Sequence, residues 1–597
     1  MGIETSYTDG AGRRRVASDA ALAAVAEVLS EPDERDAVVV VRAGESAPAP
    51  GVGAVETEDG GSAPVDGDLP PDLPTGYHEL VHADGRRTRL VVAPRRCHVP
   101  AGLRAWGWAV QLYAARSRAS WGVGDLGDAR SLARWARAGG AEVVVLNPLH
   151  AAAADQPSPY FPTSRCFRNP LYVCVDDVPG ARDDDAVAAL AARARALPRD
   201  RIARVEAHRL KLAALERLWE RWRGSASFDR YRAGQGRALE DFATFATISE
   251  LHAGGPRSWP AELAHARASG VERVRRAHAG RVAFHAWVQW LLDEQVRRLG
   301  RDVGVVHDVA IGVDPDGADR WAEPDVFADG VTVGAPPDAF NAGGQDWGVP
   351  PYDPWKLRAA GYEPFVRTLR AAFAGAAGVR IDHVMGLFRL FWVPAGLGPR
   401  DGVYVRYPHR ELLAVVALES ERAGAYVVGE DLGTVEPLVR EEMAAHSMLS
   451  YRLLWFERNE PRAYPKLALA AVTNHDLPTI AGVWTGADVR EQRALGLEPD
   501  EDVARALRDR LRDAAGVADD APVEDVVEGA YRALGAARSA LAIATLEDAL
   551  AVERRPNQPG TTDERPNWSL PLPVPVDDLD RHSLPARVAR ALTEARG

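Results

Sequence analysis

Gly-Val-Arg-Ile-Asp-His, residues 378–383, is a short β-prone run that ends on a carboxylate, Asp382. The segment Val-Val-Gly-Glu-Asp-Leu-Gly places Glu430 in the same way, and Thr-Asn-His-Asp-Leu-Pro-Thr places Asp476. Each acid stands where a predicted strand gives way to a loop. Carboxylates at the C-terminal ends of successive strands occupy the position where a (β/α)₈ barrel carries out its chemistry.

The chain on either side of these segments alternates between strand-like and helical patterns, which is typical of a parallel sheet built from βαβ units. Strands are predicted at 106–113, 142–146, 303–309, 379–382, 426–429, 453–456 and 470–473. Helices are predicted at 125–139, 501–514 and 523–539, and the chain ends in a Pro-rich tail. We therefore predict an α/β protein, a (β/α)₈ TIM barrel with a large helical insertion at about 180–300.

The first hundred residues differ from the rest and predict a small N-terminal β-rich region. A helical pattern at about 17–30 precedes a β-branched run, and the alternation of residues 77–93 around Ala-Asp-Gly predicts a hairpin. The Gly/Ser/Pro-rich and acidic segment 44–75 is predicted to be a flexible loop or linker. The domains are accordingly an appendage at 1–100 and a catalytic barrel at 101–597.

Composition narrows the class of protein. The chain has 597 residues, 46% hydrophobic and 26% charged, and a net charge of −13, which argues against nucleic acid and an anionic membrane surface as partners. The sequence contains no run of eighteen or more uncharged apolar residues, so no membrane span is predicted. Three scattered cysteines give no disulfide framework and indicate a cytoplasmic protein. No cluster of Cys and His has zinc-ligand spacing, so no metal is predicted.

Asp382 and Glu430 suit the two roles needed to break and remake a glycosidic bond. Strand periodicity puts Arg380 on the same face as Asp382, where a cation would lower the pKa of a nucleophile and keep it ionised. Glu430 ends an apolar run, and partial burial would keep a general acid protonated. The alternatives are an ordinary Arg–Asp ion pair for Asp382 and a helix cap for Glu430.

Asp476 supplies a third carboxylate, with His475 beside it as a neutral partner for sugar hydroxyls. Its alternative reading is a helix N-cap, because Leu-Pro follows. Tyr160, in a Pro-rich loop after the second strand, is suited to stacking on a sugar, although an aromatic side chain there more often covers the core. Asp308 closes the strand at 303–309.

The block at 334–351 is rich in Gly and Pro and carries Asp338, Gln345 and Trp347. A rigid loop with a stacking ring and several polar groups fits the binding of a chain of glucose units. A plain surface loop, the alternative reading, fits poorly with a tryptophan and so few charges.

Together these segments closely resemble the 4-α-glucanotransferases, or amylomaltases, a glycoside hydrolase family related to α-amylase. The matching motifs run in order from about 103 to 573. They are Ser158–Tyr160, 313–317, 334–351, 380–383, 407–411, 429–433, 475–479, 556–560 and Asn567-Trp568.

The resemblance implies a retaining double displacement with Asp382 as nucleophile, Glu430 as general acid/base and Asp476 as transition-state stabiliser. It implies a donor-sugar site and a loop that retains glucan and excludes water, without cofactor or metal. The implied substrate-binding residues are Ser158, Tyr160, Asp308, Arg380, His475, Asp338, Gln345 and Trp347.

The expected substrates are α-1,4-glucans, namely maltooligosaccharides or fragments of glycogen or starch, with glucose or maltose as acceptor. Two other functions stay open at this point. One is a hydrolase of the same class, such as an α-amylase, in which water replaces the acceptor. The other is a catalytically silent glycan-binding protein, against which the presence of all three acids argues.

Overall fold

A closed barrel of eight parallel strands forms the centre of the computed structural model, which describes residues 2–8, 12–33, 38–337, 343–562 and 564–597. Each strand pairs with the next along the chain, and the eighth pairs with the first. The first to eighth strands are Ala105–Val110, Val143–Leu146, Gly304–Val309, Gly378–Ile381, Tyr426–Gly429, Leu449–Leu453, Ala468–Ala471 and Leu541–Thr545. The predicted (β/α)₈ barrel is confirmed.

The register of the strands brings their carboxyl ends to one level. Asp308 on the third strand is paired with Arg380 on the fourth, and Ile381 is paired with Gly429 on the fifth. The residues that follow Ile381 and Gly429 are therefore neighbours at the mouth of the barrel.

Helices surround the barrel and begin where capping residues stand. Asp125 caps the helix after the first strand by accepting from backbone N–H groups of its first turn. The helices that follow the first, third, fourth and fifth strands are Leu126–Ala138, Glu363–Phe373, His409–Ala423 and Pro437–Ala445. Those after the seventh and eighth are Ile480–Thr485, Ala487–Ala494, Glu501–Ala515, Val523–Gly535, Leu546–Ala549 and Ser583–Arg596.

The predicted helical insertion lies between the second and third strands. Its helices are Asp185–Arg195, Arg204–Arg221, Ala226–Leu251, Val271–Ala277 and Ala279–Leu299. Lys211 anchors it, because its buried ammonium donates to Asp125 Oδ2 and to the carbonyls of Leu171 and Val173, each at 2.8 Å. Since all three ammonium hydrogens have acceptors, the buried charge is satisfied. Among the described helices, none is both long and apolar enough to cross a membrane.

Two long connections carry strands outside the barrel. The hairpin His150–Ala151 with Ser164–Arg168 follows the second strand. A small antiparallel sheet combines Val331–Ala335 and Gln345–Asp346 with Arg389–Pro394 and Val403–Arg406. In the chain, a short helix at Ala318–Ala322 precedes the first two strands of this sheet and another at Pro354–Ala359 follows them. The described parts of the Gly- and Pro-rich block thus contribute Gln345–Asp346 and the end of Val331–Ala335 to this small sheet.

The N-terminal region is β-rich, as predicted. It begins with the hairpin Ser6–Thr8 and Arg14–Val16 and the helix Asp19–Val28. A five-stranded sheet follows, in the order Val38–Arg42, Arg87–Ala93, Gly76–His82, Val52–Glu56 and Ser62–Pro64. Tyr77 of this sheet lies beneath the guanidinium groups of Arg370 and Arg422 on two barrel helices, which joins the two parts.

Several sequence predictions were wrong in detail. Segment 44–75, expected to be loop, contributes two strands, and Val55 and Leu69 are buried in the sheet core. The sixth strand is Leu449–Leu453 rather than 453–456, the eighth strand was missed, and the chain ends in a helix rather than a Pro-rich tail. Short apolar runs do not reveal which residues pair, because pairing partners lie far away in the chain.

Candidate active site

Asp382, Glu430 and Asp476 follow the fourth, fifth and seventh strands at the carboxyl-terminal mouth of the barrel, as predicted. Their side chains differ in exposure: Glu430 is 9% exposed, the Asp382 side chain 20% and the Asp476 side chain 41%. The mouth therefore opens from a buried floor toward Asp476. The helix caps nearby are Glu436 and Thr479, so neither Glu430 nor Asp476 is a cap.

Arg380 forms the floor of this mouth. Its Nη1 donates to Asp308 Oδ1 at 2.6 Å and to Asp382 Oδ1 at 3.0 Å. Tyr160 Oη donates to Asp308 Oδ2 at 2.6 Å and lies 3.4 Å from His475 Nδ1. Four of the predicted sugar-site residues thus form one hydrogen-bonded network around the third and fourth strands.

Burial dominates the electrostatics of Asp382. It raises the pKa of this carboxyl to about 6, although Arg380 opposes the shift. Arg380 lowers this pKa, as expected, but the expected low net value was wrong, because burial outweighs the guanidinium and Asp308 adds a further negative charge. Asp382 is still largely ionised at neutral pH, as a nucleophile must be.

Glu430 is the more weakly acidic partner. Burial, together with the charge of Asp382, raises its pKa to about 7, against the opposing effect of Arg380. The backbone N–H groups of His383 and Leu432 each donate to its carboxylate at 2.9 Å, which fixes its orientation. A carboxyl that is about half protonated at neutral pH can both give and take a proton.

Asp476 is held from two sides. His475 Nε2 lies 3.2 Å from its Oδ2, and Asn557 Nδ2 donates to its Oδ1 at 2.7 Å. Burial raises the pKa of Asp476, but His475 and Asn557 together lower it below the usual value. In turn the charge of Asp476 and its contact with the imidazole raise the pKa of His475, although burial opposes this.

Aromatic rings form one wall of the site. The Tyr160 ring lies 4.8 Å from that of His475 and 5.5 Å from that of Trp568, centroid to centroid. Ser158 Oγ accepts from the Tyr160 backbone N–H at 3.2 Å and so shapes the loop that presents this ring. The Tyr160 ring thus lines the site and also packs against the hydrophobic core.

The Gly- and Pro-rich block reaches the site through Trp347. Its indole Nε1 donates to Gln345 Oε1 at 3.2 Å, and its ring packs edge-on against His383, with centroids 5.2 Å apart. His383 has a left-handed backbone, φ 47°, immediately after Asp382. The block therefore touches the turn that carries the proposed nucleophile. Asp338 lies outside the described residues, so its predicted role has no structural account.

Sequence reasoning missed other residues at the mouth. Glu547, just after the eighth strand, lines a pocket in the barrel together with Tyr160, Asp308, Arg380 and His475. Burial raises its pKa to about 7. Sequence analysis did not find Glu547 because the eighth strand, which it follows, was not recognised. Asn557 stood in a motif that matched the family, but nothing in the sequence linked it to Asp476.

No group of His, Cys, Asp and Glu in the described part of the chain has the geometry of a metal site.

Comparison with known proteins gives one consistent result. Residues 110–576 match the family model described as 4-alpha-glucanotransferase. A 4-alpha-glucanotransferase of Mycobacterium tuberculosis is 40% identical over the whole of this chain and 97% of its own length. One from Haemophilus influenzae is 32% identical over 85% of this chain and 82% of its own. The crystal structure of amylomaltase from Corynebacterium glutamicum superposes with a TM-score of 0.87 at 31% identity, covering 99% of this chain and 98% of that one.

Proposed function

The chain belongs to the 4-alpha-glucanotransferase family, whose reaction is the transfer of α-1,4-glucan segments, and we propose that Asp382, Glu430 and Asp476 carry out this reaction in it. The observation that supports these roles is that the three carboxylates meet at the barrel mouth, where burial raises the pKa of Asp382 to about 6 and that of Glu430 to about 7. The group that must attack ionises first, and the group that must donate a proton keeps it longer.

In the first step Asp382 attacks the anomeric carbon of the donor while Glu430 protonates the departing glycosidic oxygen. The bond to the leaving glucan breaks and an ester to Asp382 forms. Arg380 donates to Asp382 Oδ1 at 3.0 Å and so fixes the orientation of the attacking carboxylate. The two backbone N–H groups on Glu430 fix the carboxyl that delivers the proton.

In the second step Glu430, now ionised, removes the proton from the 4-hydroxyl of an acceptor sugar. That oxygen attacks the same carbon, the ester breaks, and Asp382 is released as a carboxylate. Two inversions restore the α-configuration, which makes the reaction retaining. Asp476 and His475 bind hydroxyl groups of the distorted sugar, with Tyr160 stacking beneath it and Asp308 fixing Tyr160.

Transfer requires a sugar acceptor to compete with water at about 55 M. Effective molarities of about 10⁵–10⁸ M for well-oriented groups show that positioning alone is sufficient. Trp347 is suited to position the acceptor, because it packs on His383 next to the nucleophile and is held by Gln345. The proposed acceptors are glucose and maltose, and the proposed donors are maltooligosaccharides and fragments of glycogen or starch.

Two further proposals concern the whole chain. The free thiols of Cys97, Cys166 and Cys174 support a cytoplasmic location, where thiols stay reduced. Residues 1–100 are proposed to form an appendage to a catalytic unit at 101–597, supported by a separate five-stranded sheet in the first part and a closed barrel in the second.

Incubation with maltotriose tests the assignment directly. Transfer yields glucose together with a ladder of longer maltodextrins, which chromatography with product sizing resolves. Glucose and maltose without longer products would show that water is the acceptor. The Asp382→Asn variant serves as the blank, because its product pattern reports activity from any contaminating enzyme.

A further inference from the structure

A short segment after the eighth strand, residues 555–558, forms hydrogen bonds to the loop that carries Asp476. We call this segment the strap. Arg555 Nη1 donates to the Asp476 carbonyl at 2.8 Å, and the Asn557 backbone N–H donates to the His475 carbonyl at 3.0 Å. The side-chain amide of Asn557 reaches the Asp476 carboxylate itself at 2.7 Å. The strap therefore holds both the backbone and the side chain of the third acid.

The strap is itself fixed from behind. Arg555 is 6% exposed and pairs with Asp488, with Nη2 donating to Oδ2 at 2.7 Å and Nε to Oδ1 at 2.9 Å. Gln558 N donates to Asn567 Oδ1 at 3.0 Å, which closes the turn. A buried, bidentate ion pair of this kind is rigid, so the Asn557 amide is presented from a fixed frame.

Asp476 needs such a frame more than the other two acids do. Its side chain is 41% exposed, against 20% for Asp382. Asp476 also stands in a loop several residues beyond the end of its strand, whereas Asp382 and Glu430 directly follow theirs. A partly exposed aspartate on a loop samples several rotamers unless its oxygens are bonded. His475 occupies Oδ2, and Asn557 occupies Oδ1. Because an ionised carboxylate only accepts hydrogen bonds, the Asn557 atom facing it is the donor nitrogen.

From this geometry we propose that Asn557 is a positioning residue that keeps the Asp476 carboxylate turned into the sugar site. The inference rests on the proposed role of Asp476. Asn557 acts through that carboxylate and not by binding the sugar itself. Loss of its amide would therefore weaken the transition state more than the ground state, so kcat should fall while KM changes little.

The first test is Asn557→Ala, assayed for disproportionation of maltotriose after thermal unfolding has shown a native transition. We expect kcat to fall about 10- to 100-fold, as for a displaced catalytic group. For a later Asn557→Asp variant, the matched control is Asn169→Asp. Asn169 accepts a hydrogen bond from Leu171 N at a distant turn, and an aspartate accepts it equally well. Wild-type kcat in Asn557→Ala, or a raised KM with unchanged kcat, would overturn the proposal.

The second test uses pH as a rescue. In Asn557→Asp two carboxyls share one hydrogen bond, and the proton resides on residue 557 because His475 stabilises the charge on Asp476. Acidic conditions should restore the donor, so the activity of this variant relative to wild type should rise as pH falls. A ratio that is flat with pH, as expected for the control Asn169→Asp, would contradict the proposal.

A double-mutant cycle separates this inference from the role of Asp476. With an activated glycosyl fluoride donor, Asp476→Asn should be strongly impaired, and adding Asn557→Ala to it should cost little more. If Asp476→Asn is fully active, the proposed function of Asp476 is wrong. If Asp476→Asn is impaired and the two losses multiply, Asp476 keeps its role and the positioning role of Asn557 is wrong.

Discussion

Asp308 and Asp382 share a single nitrogen of Arg380: Nη1 lies 2.6 Å from Asp308 Oδ1 and 3.0 Å from Asp382 Oδ1. The shorter contact goes to Asp308, which also accepts from the hydroxyl of Tyr160. Asp382 therefore receives only part of the compensation that an exclusive ion pair would give. Burial outweighs this partial compensation and, with the negative charge of Asp308, raises the pKa of Asp382 to about 6 in spite of the adjacent guanidinium.

Replacement of Asp308 by Asn should change this balance. It removes one negative charge next to Asp382 and leaves Arg380 to a single carboxylate, so the pKa of Asp382 should fall. Since the nucleophile must be ionised, the acidic limb of the kcat/KM profile should move to lower pH. The matched control is Asp325→Asn, because Asp325 is an exposed aspartate that forms an ion pair with Arg267. An acidic limb that stays in place or moves upward would show that Asp308 does not tune Asp382.

The wild-type enzyme should itself have a narrow, bell-shaped profile of kcat/KM against pH. Activity is lost below about pH 6 as Asp382 takes up a proton, and above about pH 7 as Glu430 loses its own. Because the two carboxyls interact, the limbs report macroscopic constants of the pair. Initial rates on maltotriose from pH 4 to 9 provide the measurement. A plateau that extends to pH 9 would argue against a protonated Glu430.

Asp382→Asn should abolish turnover at nearly constant shape, with a loss of at least the order of 10⁴-fold, because the attacking charge is removed. A glycosyl fluoride donor should label Glu430→Gln covalently, because the ester persists without the base, and mass spectrometry of peptides should place the sugar on Asp382. Thermal unfolding of Asp382→Asn checks that the fold is kept. A label on another residue would refute the assignment.

Glu430→Gln should be nearly inactive on maltotriose but should react with a glycosyl fluoride in the first step. Fluoride leaves without a proton, so the glycosyl ester should form and persist because no base activates the acceptor. The check is the rate of fluoride release in a single turnover. Equal losses on natural and activated donors would mean that Glu430 is not the acid.

Trp347→Ala should change the partition of the intermediate and leave the chemistry of Asp382 intact. Without the ring beside His383, the acceptor is held less well and water gains access, so hydrolysis should rise relative to transfer. Trp347→Phe keeps a ring and should stay near the wild-type ratio. New reducing ends are measured against longer products at equal donor consumption. Equal ratios in all three proteins would limit Trp347 to packing the loop.

The sequence by itself determined the barrel and the position of its three acids, since both depend on local patterns. Apolar runs that end on Asp382, Glu430 and Asp476 mark strand ends wherever the rest of the chain lies. It did not reveal the eighth strand, Leu541–Thr545, because a five-residue Ala-rich run is equally compatible with a buried helix. It also misjudged segment 44–75, whose few apolar residues, such as Val55, are buried only by distant strands.

Only the tertiary structure decided how these acids behave. Whether Asp382 and Glu430 hold their protons depends on how much water the barrel mouth excludes and on which carboxylates share Arg380. A local sequence motif specifies neither the exclusion of water nor the set of carboxylates around Arg380. Asn557 stands 81 residues from Asp476 in the chain and 2.7 Å from it in space. Hydrogen bonds and desolvation act over a few ångströms, so they are set by which distant segments fold together, and a linear pattern cannot specify them.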